Sequence, residues 1–209
     1  ENLKEYRELN NKILITYLKI KFERLSYFVD IRNLINENIE EQCNIKEDVE
    51  ILVNELSFVG LNLKGVKINL FAIENDIMVN RNQKDLILLC IIHLLDNALK
   101  YSYNCLGQSV EHFFEMYDVS LKIIIVEAKI KLIVTNKGCR IYNEKDIFNY
   151  GVRENNSQQF CNLHNKYIFD IWKTGSGKGL SIIKSLLSEI GGTCDVQANQ
   201  DISTFTLII

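Results

Sequence analysis

The sequence predicts an α+β protein with a helical N-terminal arm. Three observations carry this. Residues 1–61 are patterned as helix, with a turn signal only near Cys43-Asn44. After Gly65 the pattern changes to short β-rich segments interleaved with helices, and 121–135 alternates with Ile and Val prominent. An apolar run, Leu86 to Leu99, reads as a buried helix, and a second, amphipathic helix opens on alternating glycines near Gly179.

The elements follow in order. Leu3, Tyr6, Asn10, Ile13, Tyr17 and Ile20 recur by threes and fours, a heptad-like seam suited to a coiled coil. That helix is predicted to run to about Glu41. A second, about Lys46 to Val59, carries Val49, Leu52, Val53, Leu56 and Val59 on one face. Two helices cannot bury both stripes alone, which predicts a dimeric four-helix bundle. The alternative is an arm packed on its own domain. Asn62-Leu63-Lys64-Gly65 is the predicted join between an arm, 1–61, and a domain, 66–209. Val66 to Leu70 and Ile77 to Val79 are predicted strands, and Gln83 to Tyr103 the buried helix. A short helix follows at Val110 to Tyr117, with His112 on the surface. Leu121 to Val126 and Lys129 to Thr135 form a hairpin; Thr193 to Gln197 and Ser203 to Ile209 close the chain as another.

Composition bounds the function. The 209 residues suffice for one sizeable domain and an appendage. At 47% hydrophobic and 24% charged, the chain is ordinary globular material. A net charge of −3 gives no reason to expect nucleic acid or an anionic membrane as partner. The longest apolar run is too short to span a bilayer. No signal peptide is visible, and the start at Glu1 reads as that of a cytoplasmic fragment with upstream segments missing. The six cysteines form no Cys-x-x-Cys pair and read as reduced cytosolic thiols.

Two motifs carry chemistry. In the buried helix, His93, Asn97 and Lys100 fall at i, i+4 and i+7, one polar stripe on an apolar rod. An amide oxygen can ligate Mg²⁺ and an ammonium can meet phosphate, so the stripe suits a nucleoside triphosphate. The plainer reading is a solvated face with Asp96 and Lys100 as an ion pair. The second motif is Gly175-Ser176-Gly177-Lys178-Gly179-Leu180, at the start of a helix closed by Gly191-Gly192. Glycines admit backbone N–H groups to phosphates, and a helix N-terminus favours negative charge. A Walker loop needs Ser or Thr after the Lys, where Gly179 stands; the dinucleotide fingerprint needs Gly where Leu180 stands. The plainer reading is a flexible loop before a helix.

Together these segments resemble the GHKL ATPase superfamily, and within it the ATP-binding domain of sensor histidine kinases. His93 to Tyr101 resembles the N box and Gly175 to Leu180 the second glycine box. Between them, Ile133 to Ile141 (Ile-Val-Thr-Asn-Lys-Gly-Cys-Arg-Ile) resembles the first glycine box, and Ile147 to Arg153 the F box. The resemblance covers Val66 to Ile209 in the family's order. It implies a two-layer α/β sandwich with a mixed sheet, the Bergerat fold. It implies ATP with Mg²⁺, Asn97 being the Mg²⁺ ligand and His93 the first N-box position. Lys100 and Tyr101 would line the phosphate and base side, Asn136 and Gly138 the adenine side. Gly175, Gly177, Gly179 and Leu180 would wrap the triphosphate. Asn143 to Thr174 would be a long lid bearing Phe160, His164, Tyr167, Phe169 and Trp172, with no catalytic role expected for His164.

Departures from the pattern matter. Asn136 replaces the Asp that accepts from the adenine amine; its oxygen still accepts one bond but carries no charge. Arg140 replaces a glycine, and could block the pocket or point outward. His93 stands where the chaperone and gyrase ATPases have a Glu general base, which predicts weak hydrolysis. In the arm, Phe28 to Ile35 resembles an H box: Asp30 and Asn33 match the neighbours of the phosphoacceptor, but Val29 holds the acceptor's own position. Valine has no lone pair and cannot be phosphorylated. The alternative is that this octapeptide is ordinary amphipathic helix.

The expectation is a histidine-kinase-like, homodimeric signalling module that binds ATP and Mg²⁺ and lacks its phosphoacceptor, with kinase activity reduced or lost. A response-regulator-like protein would be its partner. The alternatives are an active sensor kinase phosphorylating a His in trans or outside this segment, and an ATP-gated dimerisation clamp.

Overall fold

The computed structural model describes residues 2–34, 42–71, 76–105, 119–152, 156–164 and 177–209. They form α1 (Asn2–Leu34), β1 (Gln42–Asn44), α2 (Lys46–Lys64), β2 (Ile68–Phe71), β3 (Met78–Asn80), α3 (Arg81–Tyr101), β4 (Val119–Val126), β5 (Lys129–Lys137), α4 (Ser157–His164), α5 (Gly179–Glu189), β6 (Thr193–Asn199) and β7 (Ile202–Ile208). The expected helix at 110–117, with His112, lies outside the described residues. So do Arg153, Tyr167, Phe169, Trp172, Gly175, Ser176 and the side chains of 28–34.

Five strands form one mixed sheet in the order β2-β4-β5-β7-β6, and only β2 and β4 run parallel. β4 and β5 join through Glu127 and Ala128, both left-handed at φ 52° and 61°. That geometry matches the right-handed twist of a two-residue hairpin. Alternation puts Val119, Leu121, Ile123, Ile130, Leu132, Val134, Phe205 and Leu207 into one core. α3 and α5 bury Leu86 to Leu95, Ile183, Leu186 and Leu187 in that same core, so the expected two-layer sandwich is the architecture observed. Among the described residues, no helix is long and apolar enough to cross a membrane.

The start of α3 is fixed locally. The Asn80 side chain accepts from the Gln83 N–H at 2.8 Å, and the Gln83 side chain accepts from the Asn80 N–H at 3.3 Å. This capping box satisfies two N–H groups that the helix leaves open. Its other end is closed by a distant residue. Lys64 is fully buried, and its ammonium donates to the carbonyls of Leu99 at 2.9 Å, Lys100 at 3.0 Å, and Ser102. Burial lowers the Lys64 pKa to about 7. The segment read as a join is thus the last turn of α2, which ends at Gly65 with φ 67° rather than at Val59.

The arm corrects a second expectation. Ile13, Tyr17 and Ile20 are 1–3% exposed within a single chain, so this part of the heptad seam packs on its own core and not on a second copy. Lys19 pairs with Glu55 of α2 at 2.6 Å, and the Lys12 ammonium sits 5.3 Å from the Phe58 ring. The opposite face of α1 carries Ile15, Leu18, Phe22 and Leu25, which are 67, 41, 69 and 56% exposed. Their spacing of three, four and three is itself an a/d stripe.

Candidate nucleotide-binding site

α3 is the wall on which the site is built. His93 and Asn97 stack one turn apart and face the start of α5. A Cβ added at Gly179 would lie 3.1 Å from His93 Nδ1 and 4.0 Å from Asn97 Nδ2. The Asn97 amide and the first residue of α5 are therefore neighbours. Any larger residue at 179 would fill the space between them.

The turn is held from its other side. Gly177 is left-handed at φ 68°, where a side chain is strained. Its carbonyl accepts from the Gly151 N–H at 3.1 Å. Phe148 anchors the F-box segment in the core, edge-on to Phe205 with ring centroids 6.1 Å apart. The Lys184 ammonium reaches Asn149 Oδ1 at 3.4 Å, tying α5 to the same segment. Lys178 lies over the Tyr150 ring, 5.2 Å from its centroid.

The start of α5 suits an anion. No side chain caps it, and its first turn has no acidic residue. The positive end of the helix and its uncapped first N–H groups thus start at Gly179, next to His93 and Asn97. These features fit a polyphosphate. The adjacent Asn97 carboxamide offers an oxygen to a hard cation.

The first glycine box meets α3 at its far end. Asn136 is buried at 3% exposure on β5. Gly138 pairs with Ser102, and its N–H donates to the Asp201 carbonyl at 2.7 Å. The Cys139 N–H donates to the Tyr101 carbonyl at 2.8 Å. Lys100 is buried, its ammonium 5.1 Å from the Tyr101 ring. Arg140 points outward: it is exposed, and its guanidinium stacks 4.9 Å from the Tyr142 ring. Of the two possibilities left open for Arg140, the outward one is observed.

Electrostatics set His93 apart. Burial holds its pKa down at about 3, aided by the Arg24 and Lys21 charges and opposed by Asp96. At neutral pH the imidazole is uncharged, so it can hydrogen-bond but brings no positive charge to a phosphate. α4 docks through His164, whose ring lies 5.1 Å from Tyr103 and 4.4 Å from Phe160. His164 also accepts from the Asn104 N–H at 3.4 Å through Nδ1. Leu180 is partly buried against the core.

Several residues of this region escaped the sequence reading. Gly60 lies inside α2, where a Cβ would meet Leu99 Cδ2 at 2.6 Å and the Val66 carbonyl at 2.7 Å. Lys64, Tyr17, Lys21 and Arg24 were not singled out for polar contacts, yet each reaches α3. The capping pattern Asn80-x-x-Gln83 was a local signal for where α3 begins. Nothing local marks the long-range contacts.

No protein-family model matches the chain. No curated protein matches it. Solved structures do. The mycobacterial sensor histidine kinase MprB is 16% identical with a TM-score of 0.54, over 82% of this chain and 97% of that one. The Acinetobacter baumannii histidine kinase AdeS is 17% identical with a TM-score of 0.52, over 98% and 82%. Full-length ShkA in complex with AMPPNP is 16% identical with a TM-score of 0.55, over 92% of this chain and 35% of that one.

Proposed function

We propose that this chain, which has the fold of a sensor histidine kinase ATP-binding domain behind a helical arm, is a nucleotide-binding signalling module that does not phosphorylate its own arm. One observation carries the nucleotide half of the reading: a Cβ added at Gly179 would lie 3.1 Å from His93 Nδ1 and 4.0 Å from Asn97 Nδ2. Mg-ATP is the ligand that this combination of an amide, an open helix N-terminus and missing side chains suits best. Asn97 would hold Mg²⁺, which on binding neutralises phosphate charge. Gly177 and Gly179 admit the phosphates to the backbone N–H groups of α5. Neutral His93 orients them or a water. Asn136, at the buried end of β5, offers an amide to the base. ShkA, of the same fold, is described in complex with AMPPNP, which supports this choice of ligand.

The second half rests on Val29. If the H-box likeness of Phe28 to Ile35 holds, the acceptor position carries a side chain that cannot accept a phosphoryl group. A homodimer formed through the exposed stripe Ile15, Leu18, Phe22 and Leu25, and a response-regulator-like partner, complete the reading.

Calorimetric titration tests the nucleotide half. Mg-ATP is expected to bind wild type, and Asn97→Ala to lose at least about tenfold in affinity, or about 1.4 kcal/mol. Equal binding by both proteins would remove Asn97 from the site. Incubation with labelled ATP tests the second half: no acid-labile phosphate should form on the chain. A gain of label in Val29→His would favour the second reading, a competent kinase that acts on a His elsewhere.

A further inference from the structure

Asp96 and Asn97 are consecutive, so α3 presents them about 100° apart to different neighbours. Asn97 faces the glycine turn. Asp96 faces the arm. Its Oδ1 accepts from the Tyr17 hydroxyl at 2.8 Å and its Oδ2 from the Lys21 ammonium, and the Arg24 guanidinium lies 3.9 Å away. Tyr17, Lys21 and Arg24 fall at i, i+4 and i+7 and form one stripe of α1. The ionic side chains are 13, 22 and 28% exposed for Asp96, Lys21 and Arg24, so the cluster is largely withdrawn from water.

A buried ion cluster is a poor way to glue a helix down, because desolvation offsets most of the attraction. Ile13 and Ile20 on the same face already bury apolar surface. Among the described residues the charges also do not balance: two cations meet one carboxylate. The surplus positive charge meets α3 at Asp96, next in sequence to Asn97 and one turn from His93, on the neighbouring face of the helix. The lowered pKa of His93 registers both cations. Asp96 occupies few of the donors that an ammonium and a guanidinium offer, and the guanidinium fork matches a phosphate.

We propose that Lys21 and Arg24 are further nucleotide-binding residues, supplied by the arm to the polyphosphate end of the site and held there by Asp96. The proposal rests on the nucleotide-binding reading above. It has a necessary corollary. Whatever factor the docked arm adds to nucleotide affinity, the nucleotide adds to docking of the arm. The arm then reads nucleotide occupancy without any phosphoryl transfer, which suits a chain with valine at position 29.

The test uses the full chain with Mg-ATP and Mg-ADP as probes. Lys21→Gln and Arg24→Gln should each weaken Mg-ATP by about tenfold, within the usual range of such couplings. The loss for Mg-ADP should be smaller. Lys21→Arg, which keeps the charge, should bind nearly as wild type. Lys19→Gln, in the same helix but paired with Glu55, should not change affinity. Hydrogen exchange gives a second readout: Mg-ATP should raise protection of α1 amides in wild type and not in Arg24→Gln. If wild type, Lys21→Gln and Arg24→Gln bind Mg-ATP alike and α1 exchange ignores the nucleotide, the proposal is overturned while the nucleotide site stands. If wild type binds no nucleotide, both fall together. If Lys21→Gln and Arg24→Gln disturb folding, Lys21→Arg and the exchange response of wild type still decide.

Discussion

Gly138 lies so close to Tyr101 that any Cβ there would overlap the Tyr101 carbonyl oxygen and stand 2.8 Å from Ser102 Cα. The first glycine box is therefore a packing requirement as well as a sequence signature. The same contact aligns two backbone hydrogen bonds, Gly138 to Asp201 and Cys139 to Tyr101. Gly138→Ala should force β5 away from α3 and destabilise the fold by about 3 kcal/mol. Thermal unfolding should then shift down by about 6–12 °C for a chain of this size. A shift under 2 °C, on the order of an ordinary surface change, would contradict the close approach.

Lys64 offers a separate test of stability. Its ammonium serves three carbonyls at the end of α3, and Lys64→Met keeps the volume while removing every donor. Unsatisfied buried acceptors cost about 1–3 kcal/mol each at most, with partial relief by water. A loss of about 3 kcal/mol in urea unfolding at pH 6 is expected, with secondary structure otherwise intact. A neutral outcome would mean that the carbonyls find other donors.

These two positions mark the limit of what the sequence discloses. The boundaries of α3 were legible to within two residues because period and apolar content are local. The boxes predict that Asn97 and the glycine turn meet; Gly179 lies against His93 and Asn97, whereas Gly177 lies against Gly151 and Val152. The arm was half legible. Heptad spacing of Ile13, Tyr17 and Ile20 announces a helical partner, but period alone does not tell a chain's own core from a second copy. Lys64 reads only as part of a join because its three acceptors lie 35 to 38 residues away. β1 was read as a turn, since three residues acquire strand geometry only by pairing with β3.

Gly179 should separate binding from folding. At the first turn of α5, valine is a mild substitution for the helix itself, costing a few tenths of a kcal/mol or about 1 °C. Its side chain would occupy the space between His93 and Asn97. Gly179→Val is expected to abolish measurable Mg-ATP binding with the melting temperature lowered by no more than about 5 °C. Retained affinity would place the phosphates elsewhere.

His93 should leave a mark on stability against pH. Its folded pKa, about 3, lies below the ordinary value of 6.5. The unfolded chain therefore binds the extra proton first, and stability present above pH 6.5 is lost as pH falls toward 3. Between pH 6.5 and 5, one such group should remove about 1.6 kcal/mol. His93→Gln should flatten the profile by that amount in this window. An unchanged slope would show that His93 titrates freely.

The outer stripe of α1 is where the proposed homodimer is tested. Phe22 and Ile15 are the most exposed members of an a/d stripe whose helix is fixed to the domain by its other face. A helix with one apolar seam on its own core needs no second seam to fold, and contiguous exposed apolar surface marks an interaction face. Two copies paired along Ile15, Leu18, Phe22 and Leu25 would bury that surface symmetrically, residue against like residue. Replacing Ile15 and Phe22 together by Glu should then convert a dimer to a monomer in sedimentation, with the melting temperature at high dilution unchanged because neither side chain supports the fold. A wild-type chain that sediments as a monomer at tens of micromolar would remove the stripe as a self-association surface, and with it the homodimer.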